Sequence, residues 1–287
     1  GEVRARVAHL ARRQPGATDR IDASVHLPED LAEIPEYRAD ENGRFAVDVA
    51  PPGSGIGLMV DVPGYRTLRC YVRGGQLALR LEAPGALSGR LACEDAAGAA
   101  GRTLQISGAS GGIPKGASGY QVRTSLQTDD QGRFSLDRLP PGDYQIVLLN
   151  EPDDQWQCEE VIKVTLEAGQ NREDLDMTLH RAWPVTGRVT VVETGESIAG
   201  LTVVIHNAGR IEGPATSLRT ETDEDGRYRM FFLPGKASVS VYTGEDYVRP
   251  SPYYTAVDVV AGEGAVMDAT LHRALQITGV VVDEDGE

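Results

Sequence analysis

A chain of 287 residues with 40% hydrophobic and 25% charged residues has the composition of a folded globular protein, and its length suits about two domains. Its formal net charge of -15 argues against binding to a phosphate backbone or to an anionic membrane surface, because such binding draws on clustered Lys and Arg. Glycine at 33, proline at 16 and aromatics at 6% favour many short strands joined by tight turns, and no run of about 18 apolar residues is present to span a bilayer.

In chain order, an opening strand is predicted at residues 3–9, followed by Ile21, Ala23 and Val25 alternating with polar residues. Only residues 28–37, PEDLAEIPEY, suit a helical turn, which Pro35 limits. The segment ADENGRFAVDVAPPG at 39–53 then reads as a tight turn followed by a strand carrying Phe45 and Val47. The same template returns as TDDQGRFSLDRLPPG at 128–142 and TDEDGRYRMFFLPG at 222–235, its glycines Gly43, Gly132 and Gly226 lying 89 and 94 residues apart. A second marker, a small residue and glycine followed by alternating apolar residues, stands at Gly89, Gly187 and Gly279, spaced by 98 and 92 residues. Two markers with one period define repeats, so the chain divides into 1–84, 85–182, 183–275 and the opening strand of a fourth repeat at 276–287.

Within each repeat, Asp40, Asp129 or Asp223 is placed to cap backbone N–H groups of the turn, and the glycine supplies a positive φ. Leu104 with Ile106, and Val203 with Ile205, show the two-residue period of half-buried strands. Closing strands DMTLHRA at 176–182 and DATLHRA at 268–274 run almost directly into the next opening strand. These features predict an all-β chain of tandem antiparallel sandwiches, Ig-like or transthyretin-like, with about seven strands each. The short junctions predict a semi-rigid row, on the order of 100 Å for three repeats at about 3.3 Å per strand residue. The chain begins at Gly1 and stops inside a repeat, as an excerpt of a longer protein would.

The combination T-D-x-x-G-x-aromatic, L-P-P-G-x-Y and an A-G turn such as Ala168-Gly169 or Ala261-Gly262 resembles the carboxypeptidase regulatory-like domain family, a transthyretin-like sandwich. More distantly, it is similar to the Cna B-type stalk domains of bacterial surface proteins. The resemblance covers nearly the whole chain. It implies a non-enzymatic spacer and protein-interaction module of a larger secreted or cell-envelope protein, partnered by flanking domains or another envelope protein. Some relatives sharing the sandwich bind carbohydrate, and accessory domains of an enzyme such as a peptidase, lying outside the chain, are a third reading. Fold analogy alone decides none of these. Cna B-type domains often carry a Lys isopeptide with the lysine on the first strand. The only lysines here are Lys115, Lys163 and Lys236, so no such crosslink is expected.

The motifs that suggest chemistry read better as structure. The acidic clusters lack the twelfth-position Glu of a calcium loop, since counting from Glu221 that place is Phe232. Gly108-Ala109-Ser110-Gly111-Gly112 spells a nucleophile elbow, but Ile113-Pro114-Lys115-Gly116 cannot begin the helix that the motif needs. His26 and Glu29 form only a two-ligand fragment of a zinc site. His180 and His272, one per LHRA box, read as junction contacts. Cys70, Cys93 and Cys158 are too few for a disulfide scaffold; Cys93 is expected to point inward, and either a Cys93–Cys158 bridge or free thiols is possible. No catalytic residue, metal site or cofactor is expected.

The ligand candidates are aromatic. Tyr247, Tyr253 and Tyr254 lie in the insertion GEDYVRPSPYYT, and Trp156 lies beside Asp153 and Asp154 in EPDDQWQ. Rings and carboxylates in loops at the end of a sandwich suit stacking on sugars and bonding to their hydroxyls. The competing reading has the same aromatics covering the edge of the adjacent core.

Overall fold

A computed structural model describes residues 4–11, 36–40, 44, 55–72, 82–109, 117–207, 217–248 and 252–275. The chain divides into two compact units. Unit 1 takes Gly1–Leu149 and Glu160–Leu179, and unit 2 takes Asn150–Glu159 and His180–Glu287.

The strands of the first third are β1 (Arg4–Ala11), β2 (Glu36–Arg38), β3 (Gly55–Asp61) and β4 (Leu68–Val72). Then come β5 (Gly85–Ala92), β6 (Thr103–Ala109), β7 (Ala117–Gln127), β8 (Arg133–Leu139), β9 (Gly142–Leu148), β10 (Trp156–Gln157), β11 (Val161–Leu166), β12 (Asn171–Arg172) and β13 (Met177–Thr178). The last third carries β14 (His180–Arg181), β15 (Trp183–Val191), β16 (Thr202–Asn207), β17 (Ser217–Glu221), β18 (Arg227–Phe232), β19 (Gly235–Tyr242), β20 (Thr255–Val259), β21 (Ala265–Val266) and β22 (Ala269–Leu271).

In unit 1, β11-β9-β6-β7 forms one sheet and β5 with β8, β12 and β13 the other. The inward residues of the two sheets, among them Leu87, Leu91, Leu104, Ile106, Leu136, Ile146 and Leu166, are fully buried. β7 also pairs antiparallel with β4, so this sheet continues through β3 and β1 to β2 as eight strands. Unit 2 repeats the plan, with β17-β16-β19-β20 facing β18-β15 and the pair β21/β22. Its core joins Val185, Tyr228 and Met230 of one sheet to Val203, Ile205, Val239 and Val241 of the other. Among the described residues the unit 2 sandwich has seven strands when its interrupted closing strand is counted once, and unit 1 has the same seven with β4, β3, β1 and β2 added to one sheet, the all-β architecture that the period-two pattern implies.

Two details depart from the sequence reading. The closing strands pair parallel, not antiparallel, with the opening strands: β12 and β13 lie along β5, and β21 and β22 along β15. Residues 28–37 are not the only place for a helical turn, since Ala96–Ala99 forms a 3-10 turn whose Ala97 N–H is capped by the Asp95 carboxylate at 3.1 Å. Asp95 followed by a run of small residues is the N-cap signal for this turn. Glu36–Arg38 is extended, and residues 28–35 lie outside the described residues.

The repeat markers now have physical causes. An added Cβ on Gly89 would fall on the Leu175 carbonyl and 2.9 Å from Cζ of Phe134; on Gly187 it would fall on the Met267 carbonyl and 2.7 Å from Cε1 of Tyr228. In both sandwiches the aromatic that follows the acidic turn lies over the opening-strand glycine, so the two markers are two halves of one contact. Where the closing strand is interrupted, the Asp176 carboxylate accepts the Arg90 N–H at 3.0 Å, and the Asp268 carboxylate accepts that of Arg188 at 2.8 Å. These carboxylates replace ladder bonds that the break would leave unmade.

Candidate functional site

The acidic turns are built alike. Asp129 Oδ1 accepts the N–H groups of Gln131 and Arg133 at 2.9 and 2.8 Å, and Asp223 Oδ1 accepts those of Asp225 and Arg227 at 3.0 and 2.8 Å. Asp40 Oδ1 takes the Arg44 N–H at 2.8 Å. The carbonyls of Gly132 and Gly226 accept the N–H groups of Leu91 and Val189, both at 2.8 Å, tying each turn to its opening strand. The preceding threonines are buried and serve the same knot: Thr128 Oγ1 accepts from the Arg102 N–H at 2.9 Å and donates to Ala99 O at 2.6 Å, while Thr222 Oγ1 accepts the Leu201 N–H at 2.9 Å. The threonine is the part of the T-D-x-x-G motif whose role was missed, although its recurrence before Asp129 and Asp223 was a visible signal.

Bonding to the Arg133 N–H holds the Asp129 carboxyl below its ordinary value. A depressed carboxyl contributes stability that is present above its unfolded-state value, near 4, and is lost as pH falls through the lower folded value. Asp129→Asn keeps an acceptor but loses the charge. The variant should therefore be less stable than the parent at neutral pH, with the gap closing as pH falls below about 4, in urea titrations followed by circular dichroism. A gap independent of pH would show that the charge plays no part.

The aromatic candidates fall into two equivalent constructions. In segment Asn150–Glu159, which belongs to unit 2, Trp156 pairs with Arg181 through β10 and β14, and the Ala182 N–H donates to Gln155 O at 2.7 Å. Further along, Tyr247 forms a bridge with Arg273, and the Ala274 N–H donates to Asp246 O at 2.8 Å. Each LHRA box is therefore braced by the residue before an aromatic and by that aromatic's own backbone.

Their exposure differs. Trp156 is 8% exposed, Gln157 1% and Cys158 0%. Asp154 Oδ1 accepts the Trp156 N–H at 2.8 Å, and Asp153 is exposed. Gln157 Nε2 donates to Phe231 O at 2.8 Å, and the Phe231 N–H donates to Pro152 O at 2.6 Å. The Asn150 side chain accepts the Cys158 N–H at 2.9 Å and donates to Cys158 O at 2.8 Å. The segment EPDDQWQ is thus a packed part of unit 2, and its indole face is not offered to solvent. Tyr247 is half-buried against the unit 2 core, Tyr253 packs edge-on to Tyr242 with ring centroids 5.6 Å apart, and Tyr254 is 54% exposed. Tyr254 and Tyr242 are the rings in this group most open to a ligand.

His272 Nδ1 lies 2.8 Å from Glu193 Oε1, and this contact holds the Glu193 carboxyl below its ordinary value. Arg273 pairs with Glu196 at 2.9 Å, and Arg181 lies over the Trp183 ring at 5.0 Å. His180 is exposed in β14, opposite Gln157. Cys93 is half-buried and Cys158 buried, and no disulfide joins the two. The side chain of Cys70, residues 110–116 of the elbow-like motif, and both His26 and Glu29 lie outside the described residues. An open groove of about 560 Å³ in unit 2 is lined by Arg188, Arg227, Arg229, Glu221, Asp223 and Asp268 among others. Asp223 and Asp268 hold backbone there, and Arg188 donates to Asp225 O at 3.0 Å and to Ser197 Oγ at 2.7 Å. Among the described residues no group of His, Cys, Asp and Glu is arranged to hold a metal, and no helix is long and apolar enough to cross a membrane.

No protein-family model matches the chain, and no curated protein matches it. Among solved structures it is similar to a streptococcal ancillary pilin, at 11% identity over 96% of this chain and 93% of that one, with a TM-score of 0.34. It is also similar to the minor pilin GBS52 of Streptococcus agalactiae, at 14% identity over 70% of this chain and all of that one, with a TM-score of 0.32. A third likeness is to the Bacillus anthracis TIE protein, at 13% identity over 95% of this chain and 52% of that one, with a TM-score of 0.28. With TM-scores this low, these likenesses assign no function to the chain.

Proposed function

We propose that the chain is a non-enzymatic segment of tandem β-sandwiches, of the carboxypeptidase regulatory-like and Cna B-like kind, in a larger secreted or cell-envelope protein. There it serves as spacer and protein-interaction module. The supporting observation is the work done by the recurring polar residues. Asp129 and Asp223 cap turns, Thr128 and Thr222 fasten them, and Asp176 and Asp268 mend the closing ladder. A module repeated for its frame repeats the residues that hold the frame.

Carbohydrate binding is the second reading, carried by the exposed Tyr254 and by the Tyr242–Tyr253 pair beside it. A panel of soluble and insoluble glycans, tested against the full chain, separates the two. The spacer reading expects no retention. Retention that Tyr253→Ala or Tyr254→Ala weakens would replace it with a carbohydrate-recognition module.

A further inference from the structure

The two aromatic constructions occupy equivalent places, yet one is covered and the other is bare. After Ala182 comes Trp183, which opens β15 and packs partly buried against the unit 2 core. After Ala274, at the same place beyond its LHRA box, comes Leu275, 92% exposed. Following Trp156 is Gln157, 1% exposed, whereas following Tyr247 is Val248, 51% exposed and tied through its N–H to His272 O at 2.8 Å. Tyr247 and Arg273, the residues bridged between them, bring Val248 and Leu275 to the same LHRA box. Scattered exposed apolar residues need no explanation, but two at one LHRA box, where the counterparts in the same chain are covered, do.

We infer that Val248 and Leu275 form the seat of a further β-sandwich of this same repeat, entered through Leu275 as the sandwich of unit 2 is entered through Trp183. The sequence agrees with that occupant: Gly279 follows Ala274 by five residues, as Gly187 follows Ala182, and the T-G marker is present at both. This inference rests on the tandem-module reading and names the partner of that module.

The test compares the 287-residue chain with a longer one in which residues 184–275 follow Leu275 in place of 276–287. Amide hydrogen exchange in the peptide 242–254 should slow about tenfold in the longer chain, and Val248→Glu should abolish that protection while leaving the unit 2 midpoint unchanged. Equal exchange in the two chains, or an appended repeat that gains no strand signal in circular dichroism, would overturn the inference. Self-association of the 287-residue chain that Val248→Glu abolishes would also overturn it, by making a second copy the occupant. Glycan retention in the panel above would remove the spacer reading without altering the exchange result, so the two failures are distinguishable.

Discussion

Gly187→Ala should lower the stability of unit 2 by about 3 kcal/mol, at the upper end of what overpacking a well-packed core costs. The new methyl would occupy the position of the Met267 carbonyl oxygen and press on the ring of Tyr228. Neither neighbour can retreat. The Met267 carbonyl accepts the Tyr228 hydroxyl at 2.7 Å, and the Met267 N–H donates to Thr186 O at 2.8 Å, so the closing segment is held on both sides of the clash. Tyr228 itself is buried within the core. Burial also pushes the Tyr228 hydroxyl well above its ordinary pKa, so it remains a donor throughout the range in which the protein is handled. Both tryptophans of the chain, Trp156 and Trp183, belong to unit 2, so urea unfolding followed by tryptophan fluorescence reads this unit alone even though a two-unit chain need not unfold in one step. Gly200→Ala is the control. Gly200 has a φ of +73° with nothing within 4 Å of an added Cβ, so that variant carries only the left-handed backbone penalty of about 1 kcal/mol. If Gly187→Ala costs no more than Gly200→Ala, the close approach does not explain the repeat marker.

The repeats made the sandwiches legible because each marker has a one-to-one structural cause. Asp129 and Asp223 were readable as turn caps from their position before a glycine, and the buried alternation of Phe134 with Leu136, or of Tyr228 with Met230, follows from the two-residue period of a strand. The parallel closing pair was not readable. Strand direction depends on which distant strand is met, and the segments DMTLHRA and DATLHRA carry no local sign of it. The pairing of β4 with β7 is of the same kind, since its register joins residues about fifty apart through backbone groups alone. The aromatic loops were legible as unusual, and the LHRA boxes as repeated, but the link between them runs through the carbonyls of Gln155 and Asp246, which leave no mark on the sequence. Composition therefore drew attention to Trp156 and Tyr247 as ligand rings, while the backbone geometry gives both a place in bracing the box.

Trp156→Ala, accordingly, should act on stability before it acts on any ligand, lowering unit 2 by about 3 kcal/mol as removal of a buried indole does. Trp156 is buried, and its backbone N–H to Asp154, the amide of Gln157 to Phe231 and the Asn150 clasp on Cys158 all depend on the course of this segment. With Trp156 gone, Trp183 is the remaining fluorophore and still reports on unit 2. Trp156→Phe supplies the contrast. The indole Nε1–H has no hydrogen-bond partner among the described residues, so phenylalanine keeps most of the buried ring and discards an unpaired donor. Its cost should stay within about 1 kcal/mol, the loss of volume being offset by removal of that donor. A ligand ring would behave otherwise: alanine would leave the urea midpoint in place and reduce only binding, and phenylalanine would retain stacking. An unchanged midpoint in Trp156→Ala would thus return this segment to the list of binding loops, whereas a large shift with alanine and a small one with phenylalanine identifies it as part of the unit 2 frame.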